Sequence, residues 1–275
     1  MLSSKAFYLT LPSGLEGQRF SIYHPAEGTV SRGAVVYIHP FAEEMNKSRR
    51  MAALQARAFA ADGYSVLQMD LFGCGDSSGE FCDATWADWV ADVQYAADWV
   101  AQRVNGPLWL WGLRAGCLLA VEVASGLNRS VNFLFWQPST SGKLVLQQFL
   151  RLRLAADLLG GSVKGATTSL RNELTMQGQV EVSGYSLGVN LALALENVTL
   201  RPVESVSVLH WLELAKSTSS AAVSTAASRC IAEWRSAGVR VFESTVQGPM
   251  FWQTVEIEVA PELMVASRAA LLAEY

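Results

Sequence analysis

Two hydrophobic patterns alternate along the chain, and together they predict its strands. Residues 5–11 and 18–24 alternate between apolar and polar side chains, which is typical of strands with one exposed face. The glycine-containing turn at residues 12–17 joins them and predicts an antiparallel hairpin. Residues 33–39 and 64–70 are instead almost continuously apolar, as expected of strands that are buried on both faces.

Helical periodicity predicts helices between the buried strands. Asp83 is expected to cap a long helix whose apolar residues recur at three- and four-residue steps. Other helices are predicted at residues 48–62, 115–127, 187–195 and 221–237 and from about residue 262 onward. The remaining strands are predicted at residues 107–111, 131–136, 205–210 and 239–244.

This order of strands and helices predicts the fold class. Parallel neighbours in a sheet need a long crossover connection, so the order favours an α/β fold with a mostly parallel eight-stranded sheet and helices on both faces. We expect a single domain over residues 1–275, because the length suits one large core. The less regular stretch at about residues 140–185 is expected to be a lid insertion.

Composition and charge exclude several classes of function. The net charge is −4 and no segment concentrates Lys or Arg, which argues against a nucleic-acid partner. We find neither a signal-peptide pattern nor an apolar run near the roughly 20 residues that span a bilayer. The four cysteines show no metal-binding spacing, so we expect reduced thiols, a cytoplasmic location and neither metal nor cofactor.

The loop after the strand at residues 107–111 carries the most informative motif. Glycines flank a central residue in Gly112-Leu113-Arg114-Ala115-Gly116, between a predicted strand and a predicted helix. This spacing matches the nucleophile elbow G-x-S-x-G of α/β-hydrolases except that Arg114 stands in place of the serine. A guanidinium stays protonated and cannot attack a carbonyl, so Arg114 is expected either to bind a ligand or to pair with an acid.

The loop after the strand at residues 33–39 corresponds in position to an oxyanion-hole segment. Such a hole combines one N–H from this loop with the N–H that follows the nucleophile. Here these donors would belong to Phe41 and Ala115, and they favour an anion even without a nucleophile. His39 ends the strand, where it either orders the loop or acts as a base.

The loop after the strand at residues 239–244 lacks the expected base. In this arrangement the catalytic histidine follows the serine and the acid in chain order. The sequence contains no histidine after His210, and the acid position is matched loosely by Glu213. A complete Ser-His-Asp triad is therefore not predicted.

These loops together resemble one family. The chain resembles the exosortase A system-associated hydrolase 2 family of the α/β-hydrolase superfamily. The resemblance rests on the segment from His39 to Arg50, the Asp70 loop (Asp70-Leu71-Phe72-Gly73-Cys74-Gly75-Asp76-Ser77-Ser78-Gly79), the Gly112–Gly116 elbow and Gly248-Pro249-Met250-Phe251-Trp252. It implies an ester or thioester hydrolase fold in a bacterium that makes exopolysaccharide, with exopolysaccharide or exosortase proteins as partners, and it implies no particular substrate.

Two other residues are candidate nucleophiles. A literal G-x-S-x-G occurs at Gly184-Tyr185-Ser186-Leu187-Gly188, but it lies in the predicted lid and its possible partners His210 and Glu213 come in the wrong order. Cys117 lies in the first turn of the helix after Arg114, where the helix dipole and a nearby cation would lower a thiol pKa. His39 would then serve as its base.

The sequence thus supports three readings of function. The first is a weak or inactive hydrolase that binds a small anionic or acyl ligand, the second is an active ester or thioester hydrolase using Ser186 or Cys117, and the third is a non-catalytic partner protein. A cation at a helix N-terminus faces the positive end of the dipole, at a cost of about 0.3–1 kcal/mol when exposed. We therefore predict that Glu43 or Glu44 pairs with Arg114 when no ligand is bound.

Overall fold

The computed structural model describes residues 4–12, 16–29, 31–159, 167–216 and 223–274. Strands and helices are numbered separately in chain order. The strands are β1 (Lys5–Thr10), β2 (Gln18–His24), β3 (Gly33–Ile38), β4 (Tyr64–Met69), β5 (Leu108–Leu113), β6 (Val131–Trp136), β7 (Gln179–Val182), β8 (Tyr185–Gly188), β9 (Val206–Ala215) and β10 (Arg240–Gln247). The helices are α1 (Glu43–Ala61), α2 (Trp86–Ala101), α3 (Gly116–Gly126), α4 (Gly142–Leu159), α5 (Thr167–Gln177), α6 (Val189–Glu196), α7 (Thr225–Ser236) and α8 (Pro261–Leu272).

Eight of the strands form one sheet in the order β1-β2-β4-β3-β5-β6-β9-β10. β2 pairs antiparallel with both β1 and β4, and the other neighbours in this sheet are parallel. The predicted hairpin, the sheet of eight strands and the antiparallel edge are all confirmed. The carboxyl ends of the parallel strands therefore meet at one edge, where the loops that carry the candidate residues converge.

The core lies in two layers, one on each face of the sheet. All residues of β3 are buried, and alternate residues point to opposite layers: Val36 packs with Trp89 of α2, whereas Val35 packs with Phe59 of α1. α3 and α7 contribute to the first layer and α8 to the second. Burial on both faces explains why the central strands read as continuous apolar runs.

The start of α2 differs from the prediction. Its N-cap is Thr85 and not Asp83, because Thr85 and Asp88 form a capping box. The Thr85 hydroxyl accepts from the Asp88 N–H at 3.1 Å, and the Asp88 carboxylate accepts from the Thr85 N–H at 2.9 Å. This reciprocal pair satisfies two N–H groups that a cap at Asp83 would leave without partners.

The chain leaves the sheet after β6 and returns to it at β9, the neighbour of β6. Between these strands lie α4, α5, the two-stranded sheet β7-β8 and α6, which we call the insertion. The prediction of an irregular stretch was wrong here, because α4 alone runs for 18 residues. Residues 160–166 of the predicted lid, and residues 221–222 at the start of the predicted helix 221–237, lie outside the described residues.

Several strands and helices also begin or end at residues other than those predicted. β5, β9 and β10 continue beyond their predicted ends, and Leu187 belongs to β8 and not to the helix that follows. Among the described residues, no helix combines the length and the apolar character that crossing a bilayer requires.

Candidate functional site

The turn between β5 and α3 keeps the geometry of a nucleophile elbow. Arg114 has φ of 55°, a left-handed conformation that costs a non-glycine residue about 1–3 kcal/mol unless its surroundings hold it. Its N–H donates to the Trp136 carbonyl at 3.0 Å, and its own carbonyl accepts from the Ser139 N–H at 3.2 Å. A Cβ at Gly116 would lie 2.3 Å from the Ile38 carbonyl oxygen, so the close approach of α3 to β3 requires glycine there.

The Arg114 side chain binds three groups from three different elements. Its Nε donates to Oε1 of Glu44, at the start of α1, over 3.3 Å. Its Nη2 donates to Oε1 of Gln148, on α4, over 2.7 Å. Its guanidinium carbon lies 5.6 Å from the centre of the Trp252 ring, in the loop after β10. The predicted contact with Glu43 or Glu44 is therefore confirmed, with Glu44 as the partner.

Glu44 is a carboxyl whose side chain is 18% exposed, and its protonation equilibrium is unusual. Burial raises its pKa from 4.5 to about 7, although the neighbouring Arg114 acts in the opposite direction and Glu43 adds to the rise. Burial also raises the pKa of Glu43, and its Oε2 atom is buried without a hydrogen-bond partner among the described residues. The two successive carboxyls are thus held in a poorly solvated place beside a fixed cation.

A cleft of about 480 Å³ opens above the elbow. This volume lies in the range of small-molecule sites. α1, α4 and the loop after β10 supply most of its walls, and Arg114 lines it from the elbow. Its lining residues are Phe41, Glu43, Glu44, Lys47, Arg114, Gln137, Val145, Gln148, Phe149, Arg151, Leu152, Met250, Trp252 and Gln253.

Of the two predicted oxyanion-hole donors, Phe41 lines this cleft, whereas Ala115, the residue after Arg114, lines a small neighbouring void. Phe41 and Ala115 precede the first turns of α1 and α3, and neither of their N–H groups has a hydrogen-bond partner within the described parts of the chain. Ala42, which follows Phe41, has φ of 48°, an unfavourable value that sets the turn into α1. Unpaired N–H groups near helix N-termini favour an anion.

All three histidines of the chain are engaged away from the cleft. His39 is buried, its Nδ1 lies 2.8 Å from the Pro40 carbonyl oxygen, and its Nε2 accepts from the Leu71 N–H at 3.4 Å. Burial lowers the pKa of His39, in keeping with a neutral ring that orders two loops. His24 bonds to Gln68, and His210 stacks on Phe242 and faces Glu274.

The family of the chain is shown by a sequence match that runs from just before β3 into α6. The sequence model of the family "Serine aminopeptidase, S33" matches residues 29–193, which is more than half of the chain and includes the elbow. The chain belongs to this family. No curated protein sequence matches it.

Solved structures share the same fold over almost the whole chain. Est1E from Butyrivibrio proteoclasticus, solved with ferulic acid, is 14% identical with a TM-score of 0.66, and the alignment covers 98% of each chain. A thermostable carboxyl esterase from Bacillus coagulans is 11% identical with a TM-score of 0.65, covering 99% of each chain. GrgF from Penicillium sp. sh18 is 17% identical with a TM-score of 0.63 over 99% of each chain. Similarity at this level of identity shows the α/β-hydrolase fold.

The loop after β10 lies beyond the residues that match the serine aminopeptidase S33 family, and the sequence shows no histidine in it. Trp252 occupies the loop in which a working triad carries its histidine, and it is almost fully buried against Phe251. Glu213 lies within β9 and not after it, where its carboxylate accepts from the Trp211 indole N–H at 2.8 Å. The loop that would carry the base therefore holds a packed aromatic ring, and Glu213 is hydrogen-bonded within its own strand.

The structure corrects the expectation for Cys117. Its thiol is fully buried beneath the elbow, with Sγ 4.0 Å from the Trp136 carbonyl oxygen. Burial raises the pKa of Cys117 well above its usual value, and this effect outweighs the opposing influence of Arg114. The predicted lowering of its pKa was wrong, because the thiol packs between the sheet and α3 and has no contact with water.

The structure also places Ser186 differently from an elbow serine. Ser186 lies inside β8, opposite Glu181 of β7, in an antiparallel hairpin. Within the serine aminopeptidase S33 family fold, this hairpin belongs to the insertion, and Ser186 is not among the residues that line the cleft. Gly184 lies in the turn of this hairpin with φ of 81°, and Gly188 ends β8 and caps α6. Ser186 itself lies within the strand and not at the turn into the helix, as an elbow serine would.

Sequence reasoning missed three contributors to the site. Gln148 and the apolar face of α4 were missed because residues 140–185 were predicted to be irregular. The signal was present, since Val145, Gln148 and Leu152 recur at helical spacing. The contact between Trp252 and Arg114 joins residues far apart in the chain, and a sequence pattern does not reveal such a pairing.

Proposed function

We propose that this chain is a pseudo-enzyme of its family, which binds a small anionic or acyl ligand at the elbow and hydrolyses it weakly or not at all. The observation that carries the proposal is the side chain at the elbow. Arg114 occupies the nucleophile position in the strained conformation of that position, and it contacts an acid, an amide and an aromatic ring.

The chemistry of the site argues against a serine-type mechanism. Nucleophilic catalysis needs a group that can lose a proton and a base within hydrogen-bond reach. The guanidinium of Arg114 does neither, and each of the three histidines is engaged outside the cleft. General-base help contributes about 10²–10⁴-fold, so its loss alone would lower turnover by about that factor.

The same features suit ligand binding. Arg114 lines a cleft of about 480 Å³ and supplies charge, and the free N–H group of Phe41 on the same lining supplies a donor, with that of Ala115 next to Arg114 in the chain. Apolar side chains of α4 line one wall, which suits an acyl chain. Glu44 holds the cation when the cleft is empty of ligand, so an anion would compete with Glu44 for Arg114.

Activity-based labelling tests the absence of serine chemistry. The purified protein is treated with a fluorophosphonate probe and assayed against p-nitrophenyl esters and acyl thioesters, with an active serine esterase as the positive control. We expect no stoichiometric labelling and turnover at the level of buffer. Labelling that maps to Ser186 and disappears in Ser186→Ala would favour the alternative of an active hydrolase.

The alternative nucleophile Cys117 is tested in the same assay. Thioester turnover that is lost in Cys117→Ala but kept in Ser186→Ala would assign the activity to the thiol. The deep burial of Cys117 argues against this result. The narrower resemblance to exosortase-associated hydrolases, and a role beside exopolysaccharide or exosortase proteins, stay predictions from the sequence motifs.

A further inference from the structure

The contact between Arg114 and Glu44 uses one of the N–H donors of the guanidinium. A carboxylate and an arginine bind most strongly through two parallel hydrogen bonds of about 2.7–2.9 Å. Glu44 instead offers one oxygen to Nε at 3.3 Å, and Nη2 turns to the amide oxygen of Gln148. A free carboxylate in the cleft could approach the guanidinium with both oxygens, which Glu44 does not do from its place in α1.

The wall that α4 contributes to the cleft combines three apolar side chains with Gln148 and a second cation, Arg151. Val145, Phe149 and Leu152 line the cleft at helical spacing, and Gln148 lies on the same side of the helix. The Phe149 ring packs edge-on against Phe41, with centroids 5.2 Å apart, which fixes α4 against the loop that precedes α1. A ligand whose charged end contacts Arg114 would therefore lay the rest of its length along apolar side chains.

We propose that the ligand is a small carboxylic acid with an apolar tail, whose carboxylate replaces that of Glu44 on Arg114 while Glu44 takes up one proton from solvent. The proposal rests on the proposed function and names its ligand class. One carboxylate and one proton enter the cleft, so the net charge of the site is unchanged. The O–H bond formed on Glu44 is the one covalent bond that the exchange makes, and it breaks none in the ligand. The charge on Arg114 is then matched by the ligand.

The groups around Glu44 favour its protonation when the ligand takes its place on Arg114. Arg114 faces it from the elbow, Glu43 and Lys47 lie on its own helix, and the buried Tyr37 hydroxyl of β3 lies within its electrostatic range. Losing Arg114 as a partner would leave a charged Glu44 buried beside Glu43, which is costly. The pKa of Glu44 is already raised to about 7 with Arg114 in contact, so removing that contact favours the protonated form further.

Calorimetric titration with acetate, butyrate, hexanoate and hexan-1-ol tests the proposal. Each is titrated at pH 6 and pH 8, in two buffers of different ionisation enthalpy, which reveals the number of protons taken up. We expect hexanoate to bind and hexan-1-ol not to bind, with affinity rising about three- to fourfold for each methylene that becomes buried. Binding at pH 8 should take up close to one proton and should be about tenfold weaker for each pH unit above the pKa of Glu44.

Matched variants separate the two parts of the proposal. Glu44→Gln should bind hexanoate equally at both pH values and without proton uptake. Leu152→Gln should lose the gain with chain length, whereas Leu144→Gln should keep it, because Leu144 is 47% exposed on the same helix and does not line the cleft. Arg114→Gln should abolish the preference for hexanoate over hexan-1-ol.

The outcomes also distinguish this inference from the proposed function. If neither the wild type nor Glu44→Gln binds any carboxylate, and inorganic phosphate also fails to bind, the proposed function itself is wrong. If phosphate binds and hexanoate does not, or if hexanoate binds without proton uptake at pH 8 or without a gain from chain length, the ligand class inferred here is overturned. The proposed anion site would survive that second result.

Discussion

The guanidinium carbon of Arg114 lies 5.6 Å from the centre of the Trp252 ring, and this contact joins the two loops that matter most for hydrolase chemistry. In a serine hydrolase of this fold, those loops bring together the nucleophile and its histidine. Here they bring together a permanent cation and an aromatic face. In this chain Arg114 stands in place of the serine, and its contact with Trp252 holds a charge where a serine and a histidine would transfer a proton.

This replacement predicts that restoring the serine alone does not restore activity. Arg114→Ser should retain the elbow, but the nearest loop offers Trp252 and not a base. Because a general base contributes about 10²–10⁴-fold, p-nitrophenyl ester turnover by Arg114→Ser should stay near background. Arg114→Ala is the matched control, since it removes the same cation without adding a hydroxyl. Turnover by Arg114→Ser far above that of Arg114→Ala would reveal a base elsewhere in the cleft.

The elbow glycine gives a second prediction, on stability. Gly116→Ala would place a Cβ 2.3 Å from the backbone oxygen of Ile38, which cannot move without disturbing β3. We expect a loss of about 1–3 kcal/mol or more in the free energy of unfolding, measured by urea denaturation.

Gly126→Ala, in the same helix, is the control for Gly116→Ala. Its Cβ would meet the end of the flexible Gln94 side chain, which can turn away. Since alanine favours a helix over glycine by roughly 0.5–1 kcal/mol, Gly126→Ala should be neutral or stabilising. Equal losses in the two variants would mean that the packing of α3 on β3 is looser than described.

The sequence determined the sheet more fully than the insertion, for a physical reason. Strands of the sheet are buried on both faces, so runs such as β3 and β4 are apolar throughout and stand out from their surroundings. α4 has exposed apolar residues such as Leu144 and Leu152, which obscure its buried face. The buried face of α4 was therefore not recognised, and the segment was predicted to be less regular.

Some features of the candidate site could likewise be predicted from the sequence, and others could not. Arg114 and its pairing with a glutamate followed from local rules, because the elbow spacing and the helix dipole are both readable along the chain. The state of Cys117 did not follow, since its pKa depends on how completely the thiol is buried and not on its position in a helix. Burial is a property of the packed molecule. The sequence shows the cation beside Cys117, which lowers the pKa of the thiol, but it does not show the burial that raises it.

Glu44 provides the last prediction, because its pKa ties stability to pH. Burial raises this pKa from 4.5 to about 7, so the folded protein holds the proton more tightly than the unfolded chain. The resulting stabilisation is fully present below about pH 4.5 and is lost as the pH rises through about 7, with a size on the order of 3 kcal/mol. Glu44→Gln cannot lose a proton, so the variant should gain stability relative to wild type by about this amount between pH 4.5 and pH 8.

Urea unfolding of wild type and Glu44→Gln at pH 4.5, 6 and 8 measures this difference directly. Glu122→Gln is a suitable control, because Glu122 forms an exposed ion pair with Arg201 at 3.4 Å, and such pairs contribute about 0–1 kcal/mol. Its stability should therefore run nearly parallel to that of wild type across the range. If Glu44→Gln were instead less stable than wild type at pH 8 by more than at pH 4.5, the ion pair with Arg114 would outweigh the cost of burying the charge. Glu44 would then be a structural partner that an incoming anion cannot displace.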